Sequence, residues 1–68
     1  MLFDYRASRG EIVCGVSFID NENVVDVVLE DGIHLECNDV ISVQSDESSY
    51  LIYKNDELVK MLDRQATE

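Results

Sequence analysis

The feature that most constrains the fold is a series of apolar residues at alternate positions, with no proline anywhere in the chain. In Glu11–Asp20 the residues Ile12, Cys14, Val16 and Phe18 fall on one side of an extended backbone. This period of two predicts a strand with one buried face.

A polar run from Asp20 to Asn23 predicts a four-residue loop that joins this strand to a second one. The loop length sets the register of the hairpin, so that inward residues of one strand meet inward residues of the other. The predicted facing pairs are Ile19 with Val24, Phe18 with Val25, Val16 with Val27, and Cys14 with Leu29.

The next connection admits two registers. A two-residue turn at Asp31-Gly32 would set Leu29 beside His34 and mix the two faces, because a one-residue slip turns every side chain over. A three-residue loop with Gly32 in the left-handed conformation keeps the apolar residues together, and we predict this register. It pairs Leu29 with Ile33, Val27 with Leu35 and Val25 with Cys37, and it aligns Ser17, Asp26 and Glu36 in one outer row next to Gly15, Val28 and His34.

The rest of the chain shows the same alternation. Ile41 and Val43 are predicted to be buried after a tight Asn38-Asp39 turn. Residues 2–6 form either a strand or a short helix. Residues 56–65 form either the second strand of a hairpin or a short helix, and the hairpin is favoured. That hairpin turns at Asn55-Asp56, with Lys54 opposite Glu57 and Ile52 opposite Val59.

These segments predict a single mainly β domain over residues 1–68. We expect five or six short strands in an antiparallel meander, bent into an SH3-like or Sm-like barrel, with or without one short terminal helix. A chain of this size has a small core, which supplies only ~3–5 kcal/mol of net stability.

The charge distribution limits the classes of partner that the chain is expected to bind. The chain has 15 Asp and Glu against 5 Lys and Arg, a net charge of −10, and residues 10–53 contain ten carboxylates and no Lys or Arg. Such a charge disfavours direct binding to nucleic acid or to an anionic membrane. Apolar runs are too short to span a bilayer and no signal-peptide pattern is present, so we expect a cytoplasmic protein. Cys14 and Cys37 are then expected to be free thiols on the inward face.

Enzymatic chemistry is weakly supported. Ser17, His34 and Asp26 could be brought together, but no glycine nest or turn near Ser17 offers an oxyanion site. Carboxylates at alternate strand positions diverge, so no dedicated metal site is predicted. We expect a protein that is not an enzyme and has no cofactor.

The central acidic residues therefore predict binding to a basic surface. We expect a non-enzymatic inhibitor that docks on a larger protein, itself a nucleic-acid-binding protein, as DNA-mimic anti-defence proteins of phages and mobile elements do. Acidic residues would supply charge pairing, and outward Val28 and Tyr50 would supply apolar contacts. The predicted partner-binding residues are Asp20, Glu22, Asp26, Val28, Glu30, Asp31, His34, Glu36 and Tyr50.

Two alternatives remain open from the sequence. One is an Sm-like or SH3-like homo-oligomer that binds a small molecule or a peptide at a subunit boundary, with the basic chain ends pairing with a neighbour's acidic middle. The other is an accessory subunit of a larger complex.

Overall fold

A computed structural model describes residues 1–64 and shows a mainly β chain, with no α-helix in that range. The strands are β1 (Phe3–Arg6), β2 (Glu11–Asp20), β3 (Asn23–Leu35), β4 (Val40–Ser45), β5 (Ser49–Lys54) and β6 (Glu57–Asp63). The segments left open between strand and helix thus contain β1 and β6, and residues 65–68 lie outside the described range.

The strands form two antiparallel sheets, one of order β1-β4-β5-β6 and one made of β2 and β3. β4, β5 and β6 follow one another as predicted, but β1 pairs with β4, with Phe3 opposite Val43. The prediction of one continuous meander is therefore wrong. The backbone of Ala7 explains the change, because it exchanges hydrogen bonds of 2.8 Å with Asn38 and Asp39 and so anchors the end of β1 beside the start of β4.

The first half of the β2–β3 hairpin has the predicted register. Ile19 lies opposite Val24, Phe18 opposite Val25 and Val16 opposite Val27. The loop is shorter than predicted, because Asp20 pairs with Asn23 and only Asn21 and Glu22 form the turn. Their positive φ angles of 51° and 69° are those of a type I′ turn, which matches the twist of a hairpin.

The predicted second hairpin is wrong. β3 continues through Gly32, and its last residues pair with the start of β2, so that Ile33 lies opposite Val13 and Leu35 opposite Glu11. Residues 29–32 form a bulge opposite Cys14, and Gly32 has the predicted left-handed conformation with φ 73°. The bulge lets Leu29, Ile33 and Leu35 all reach the core, at 6%, 9% and 0% exposure.

The bulge also changes which side chains at the start of β2 face the core. Because one residue of β2 is unpaired there, the side chains before it lie on the opposite face from the one predicted. Val13 packs partly buried against the core, whereas Ile12 is 64% exposed. Cys14 and Cys37 are free thiols as predicted, but both are exposed, so their predicted inward orientation is wrong.

The favoured terminal hairpin is confirmed. Asn55 and Asp56 form its turn with φ 51° and 69°, and Lys54 lies opposite Glu57. The predicted pairing of Ile52 with Val59 is wrong, because a bulge at Val59 puts Lys60 opposite Ile52.

The two sheets enclose one hydrophobic core. Ile41 and Val43 are fully buried as predicted, together with Leu35 and Ile52. An edge-to-face contact joins the sheets, with the Phe18 and Tyr50 ring centroids 5.2 Å apart. The buried hydrophobic residues are Ala7, Val16, Phe18, Val25, Val27, Leu29, Ile33, Leu35, Ile41, Val43, Tyr50 and Ile52.

Candidate functional site

Eight of the ten acidic residues in the middle of the chain lie in three regions. The first lies at the β2–β3 turn, where Asp20, Asp26 and Glu47 line one open pocket next to Glu22. The second is the bulge of β3, where Glu30 and Asp31 line a second pocket. The third is the connection from β3 to β4, which contains Glu36 and Asp39.

The predicted outer row of Ser17, Asp26 and Glu36 is present only in part. Ser17 lies opposite Asp26, and its hydroxyl donates a hydrogen bond to Asp26 Oδ1. Glu36 follows the end of β3 and lies in the third region instead, because β3 does not fold back on itself. The carboxylates of Asp26 and Glu36, which were predicted to face each other, therefore lie in different regions.

Asp20 is held by Tyr50 of the other sheet and by Arg64, which directly follows β6. Arg64 Nη2 lies 3.1 Å from Asp20 Oδ2, and the side chains of these two residues are only 27% and 12% exposed. The Tyr50 hydroxyl donates to the same oxygen at 2.8 Å, a bond that raises the pKa of Tyr50. Arg64 also donates to the Asp46 carbonyl at 2.9 Å. This predicted site residue is consequently neutralised within the fold.

Tyr50 was predicted to face outward, but its side chain is buried. Its side chain is 5% exposed, packs on Phe18 and has the Arg64 guanidinium 5.4 Å from its ring centroid. The same alternation that buries Ile52 also places Tyr50 inside, so the sequence contained the signal for its true position. Tyr50 lines the first pocket, but its buried ring does not supply the exposed apolar contact that was predicted for it.

In the third acidic region, polar and basic groups surround Asp39, whereas Glu36 is exposed beside His34. His34 Nδ1 lies 3.6 Å from Glu36 Oε2, and Lys54 Nζ lies 3.9 Å from Asp39 Oδ2. Hydrogen bonds from the Glu36 amide and then the Asn55 side chain lower the pKa of Asp39. His34 and Glu36 lie side by side, both largely exposed, and neither lines the two pockets.

His34 is also separated from Asp26. His34 lies opposite Ile12, whereas Asp26 lies opposite Ser17, five positions further along β2. The prediction that His34 neighbours Asp26 is wrong, and the structure does not assemble Ser17, His34 and Asp26 into one cluster.

Four carboxylates of the central segment have no hydrogen bond or ion pair from their side chains to any of residues 1–64. Two of them, Glu22 and Glu47, belong to the first region, and the other two belong to the bulge. The four residues are Glu22, Glu30, Asp31 and Glu47.

The first two acidic regions flank a groove between β3 and β6. Its larger hollow, of about 820 Å³, lies between residues 23–26 of β3 and the end of β6 at Leu62 and Arg64. Its smaller hollow, of about 440 Å³, lies between residues 29–33 and the pair Val59 and Lys60. Lys60 Nζ donates to the Val28 carbonyl at 3.0 Å and thus separates the two hollows.

Apolar residues next to the groove are exposed. Val28 is 65% exposed as predicted, and Val24, which sequence reasoning did not select, is 69% exposed. Glu47, Lys60 and Arg64 were also missed as lining residues. Their position depends on how the two sheets pack, for which the sequence alone contains no local signal.

Within residues 1–64 no group of three or more His, Cys, Asp or Glu side chains is placed to hold a metal ion. No helix long and apolar enough to cross a membrane is found in the same range. Comparison of the chain with protein-family models, with curated proteins and with solved structures gave no match. A function therefore has to be inferred from the chain's own residues.

Proposed function

We propose that this chain is a non-enzymatic binding protein that docks its acidic surface on a basic surface of a larger protein and blocks it by competition. The partner is a nucleic-acid-binding protein, and the chain occupies the place of the polyanion, in the manner of a phage or mobile-element anti-defence protein. The observation that carries the proposal is the set of four carboxylates beside the groove that residues 1–64 leave unpartnered, Glu22, Glu30, Asp31 and Glu47.

The arrangement of these charges supports the proposal. Three of them follow β3 past the groove, from Glu22 in the turn to Glu30 and Asp31 in the bulge, and Glu47 lies between β4 and β5. An extended backbone from residue 22 to residue 31 spans at most ~30 Å. One turn of B-DNA spans a similar ~34 Å. Apolar Val24 and Val28 lie between the charges and would contribute contact area at the centre of the interface.

The contacts within the fold change which residues we propose for the contact surface. Asp20 is paired with Arg64, so it contributes less to an external partner, and Glu36 and His34 lie in the third region, outside both hollows of the groove. Glu47 joins the surface, because it lines the same pocket as Asp26. The strongest contributions to partner binding are expected from the carboxylates that no side chain or backbone group of the described part of the chain contacts.

The test uses variants with equal net charge. Glu22→Gln with Glu47→Gln, and Glu30→Gln with Asp31→Asn, each change the net charge from −10 to −8 at the proposed surface. The matched control, Asp4→Asn with Asp56→Asn, makes the same change at exposed positions outside it. Immobilised wild-type protein and variants are exposed to extract of the native cell, and retained proteins are identified before and after addition of duplex DNA.

We expect a nucleic-acid-binding protein that wild type and control retain, that both surface variants lose, and that duplex DNA releases. Retention should also fall as salt is raised, because exposed charges are screened. A partner that binds all variants equally, or one that duplex DNA does not displace, would contradict the proposal.

The Sm-like or SH3-like oligomer is a second proposal, in which a subunit boundary holds a peptide or small molecule. Exposed apolar residues on the strands favour it, since Ile19, Val24 and Met61 are 63%, 69% and 62% exposed. Size measurement against salt separates the two proposals, because an assembly joined by basic chain ends and acidic neighbours dissociates as salt rises. An accessory subunit of a larger complex would instead co-purify with that complex at stoichiometric amount.

A further inference from the structure

The groove beside the acidic surface is bounded by two strands that each end a sheet. Among residues 1–64, β3 pairs only with β2, and β6 pairs only with β5. The two strands are linked across the groove by a side chain, Lys60, and not by backbone pairing. They therefore stand further apart than the ~4.8 Å of neighbouring strands, and the space between them is open.

The direction of the β3 backbone follows from the Lys60 contact. The Val28 carbonyl accepts a hydrogen bond from Lys60 at 3.0 Å, so it points away from β2 and into the groove. In a strand, alternate residues direct their N–H and C=O groups to the same side. Val24 and Asp26 consequently also point their backbone groups into the groove, whereas Val25 and Val27 bond to β2.

The pairing pattern at the turn supports this assignment. A two-residue turn is closed by a hydrogen-bonded pair, here Asp20 and Asn23, so the next pair, Ile19 and Val24, is a non-hydrogen-bonded one. Ser17 and Asp26 form the following pair of that kind, where side chains lie closest, and their side chains are indeed hydrogen-bonded.

The groove combines these free backbone groups with an apolar floor and an acidic rim. Its floor contains buried or partly buried side chains such as Val25, Leu29, Tyr50 and Leu62. Its lining contains five carboxylates and two cations, a balance of −3. These charged residues are Asp20, Asp26, Glu30, Asp31 and Glu47, with Lys60 and Arg64.

We propose that this groove binds an extended basic segment of a partner protein, which adds as a strand to the free edge of β3. This inference rests on the proposed function and specifies how the partner is held. A strand with alternating apolar and basic residues fits, because one set of side chains then reaches the apolar floor and the other reaches the acidic rim. Backbone hydrogen bonds to Val24, Asp26 and Val28 supply the affinity, and Lys60 releases the Val28 carbonyl when the segment enters.

The charges favour this occupant over a second copy of the chain. Two copies carry −10 each and repel one another. An antiparallel pairing of β3 with β3 of a second copy, centred on Asp26, would also bring two identical carboxylates face to face, which is destabilising.

The test uses a synthetic peptide as the probe. We choose a fluorescent eight-residue peptide that alternates lysine with valine and measure its binding by anisotropy. Two matched copies are N-methylated on alternate residues, in one frame or the other, which removes backbone donors without changing charge. A peptide with glutamate in place of lysine controls for the charge of the groove. We expect binding of the parent peptide, at least a tenfold loss in one N-methylated frame, and no binding of the glutamate peptide.

Amide hydrogen exchange gives a second readout. In the free protein the amides of Val24, Asp26 and Val28 should exchange quickly, whereas those of Val25 and Val27 are already protected by β2. Bound peptide should slow exchange at the first three positions at least tenfold.

The outcomes separate this inference from the proposed function. Salt-sensitive binding that tolerates N-methylation in both frames, with no new amide protection, would leave acidic docking intact and overturn strand addition. Absence of lysine–valine binding would also overturn strand addition, while capture from the native extract still tests the docking itself. Protection of Val24, Asp26 and Val28 that rises with protein concentration, without peptide, would identify a second copy as the occupant and overturn the proposal.

Discussion

The contact between Arg64 and Asp20 should contribute much of the stability of this small domain, and replacement of Arg64 by Met tests that. Methionine keeps an unbranched apolar stem but removes the ion pair of 3.1 Å to Asp20, the hydrogen bond of 2.9 Å to the Asp46 carbonyl and the cationic contact with the Tyr50 ring. The variant leaves the Asp20 carboxylate, 12% exposed, with the Tyr50 hydroxyl as its remaining partner among residues 1–64.

The magnitude follows from the burial of the pair. An exposed ion pair contributes ~0–1 kcal/mol, whereas breaking a fully buried one costs ~3–5 kcal/mol. Side chains that are 27% and 12% exposed lie between these limits, so we expect Arg64→Met to lower the free energy of unfolding by about 2 kcal/mol. For a domain of this length that corresponds to a fall in Tm of roughly 8–16 °C.

The assay is urea and thermal unfolding monitored by circular dichroism, with a double-mutant cycle that adds Asp20→Asn. Lys54→Met is the matched control, because it removes the same charge from a wider and more exposed contact, 3.9 Å from Asp39. We expect it to cost at most ~0.5 kcal/mol, and we expect a coupling of about 1 kcal/mol between Arg64 and Asp20. A loss no larger than that of Lys54→Met, or a coupling below ~0.3 kcal/mol, would refute the reasoning.

Three further changes have predictable effects on unfolding. Asp56→Gly should raise the free energy of unfolding by about 0.5 kcal/mol, because Asp56 has φ 69° in a type I′ turn and glycine adopts positive φ at no steric cost. An unchanged urea midpoint would contradict this. Gly32→Ala should destabilise by about 1–2 kcal/mol, because φ is 73° and the new Cβ would lie 2.8 Å from Ile12 Cγ2; an unchanged Tm would contradict this. The hydrogen bond from the Glu36 amide lowers the pKa of Asp39 in the folded protein. The stability that this bond contributes is therefore present above the pKa of Asp39 in the unfolded chain, and it is lost as the pH falls through the pKa of Asp39 in the folded protein. Unfolding from pH 7 to 2 should show a smaller acid loss in Asp39→Asn than in wild type, and parallel curves would contradict it.

Local features of the fold could be predicted from the sequence where neighbouring residues decide them. The alternation in Glu11–Asp20 gave the strand and the register of its turn, and Asn55-Asp56 gave the terminal hairpin. At Gly32 the local signal led to a wrong prediction. The left-handed conformation was correct, but it belongs to a bulge inside β3 and not to a hairpin turn. Local conformation does not determine which segment a strand pairs with.

The pairing of β3 was decided by the core. Folding β3 back at Gly32 would have aligned its own two halves, whereas continuing it lets Ile33 and Leu35 cover the start of β2 and pack on the other sheet. The candidate site depends on the same choice. Asp26 and Glu36 would be neighbours only in the hairpin that did not form, and Arg64 reaches Asp20 only because the sheets pack face to face.

The open strand edges also suggest why so small a domain carries so much charge. β3 and β6 each end a sheet, and each contains a bulge, which disturbs pairing with another chain. Exposed Val24, Val28 and Met61 nevertheless remain beside these edges. At neutral pH the net charge of −10 opposes association of two copies, and we expect it to keep the edges free.

Removing that charge should therefore cause self-association. At pH 4.1, the isoelectric point, the repulsion vanishes while the apolar residues and free edges persist. We expect light scattering to show larger species as pH falls from 7 to 4.1, with the circular dichroism of the β-sheets retained. High salt at pH 7 should promote the same change more weakly, because it screens the charges without removing them. A monomer with intact sheets at pH 4.1 would show that the bulges alone protect the edges and that the acidic residues are not needed for this purpose.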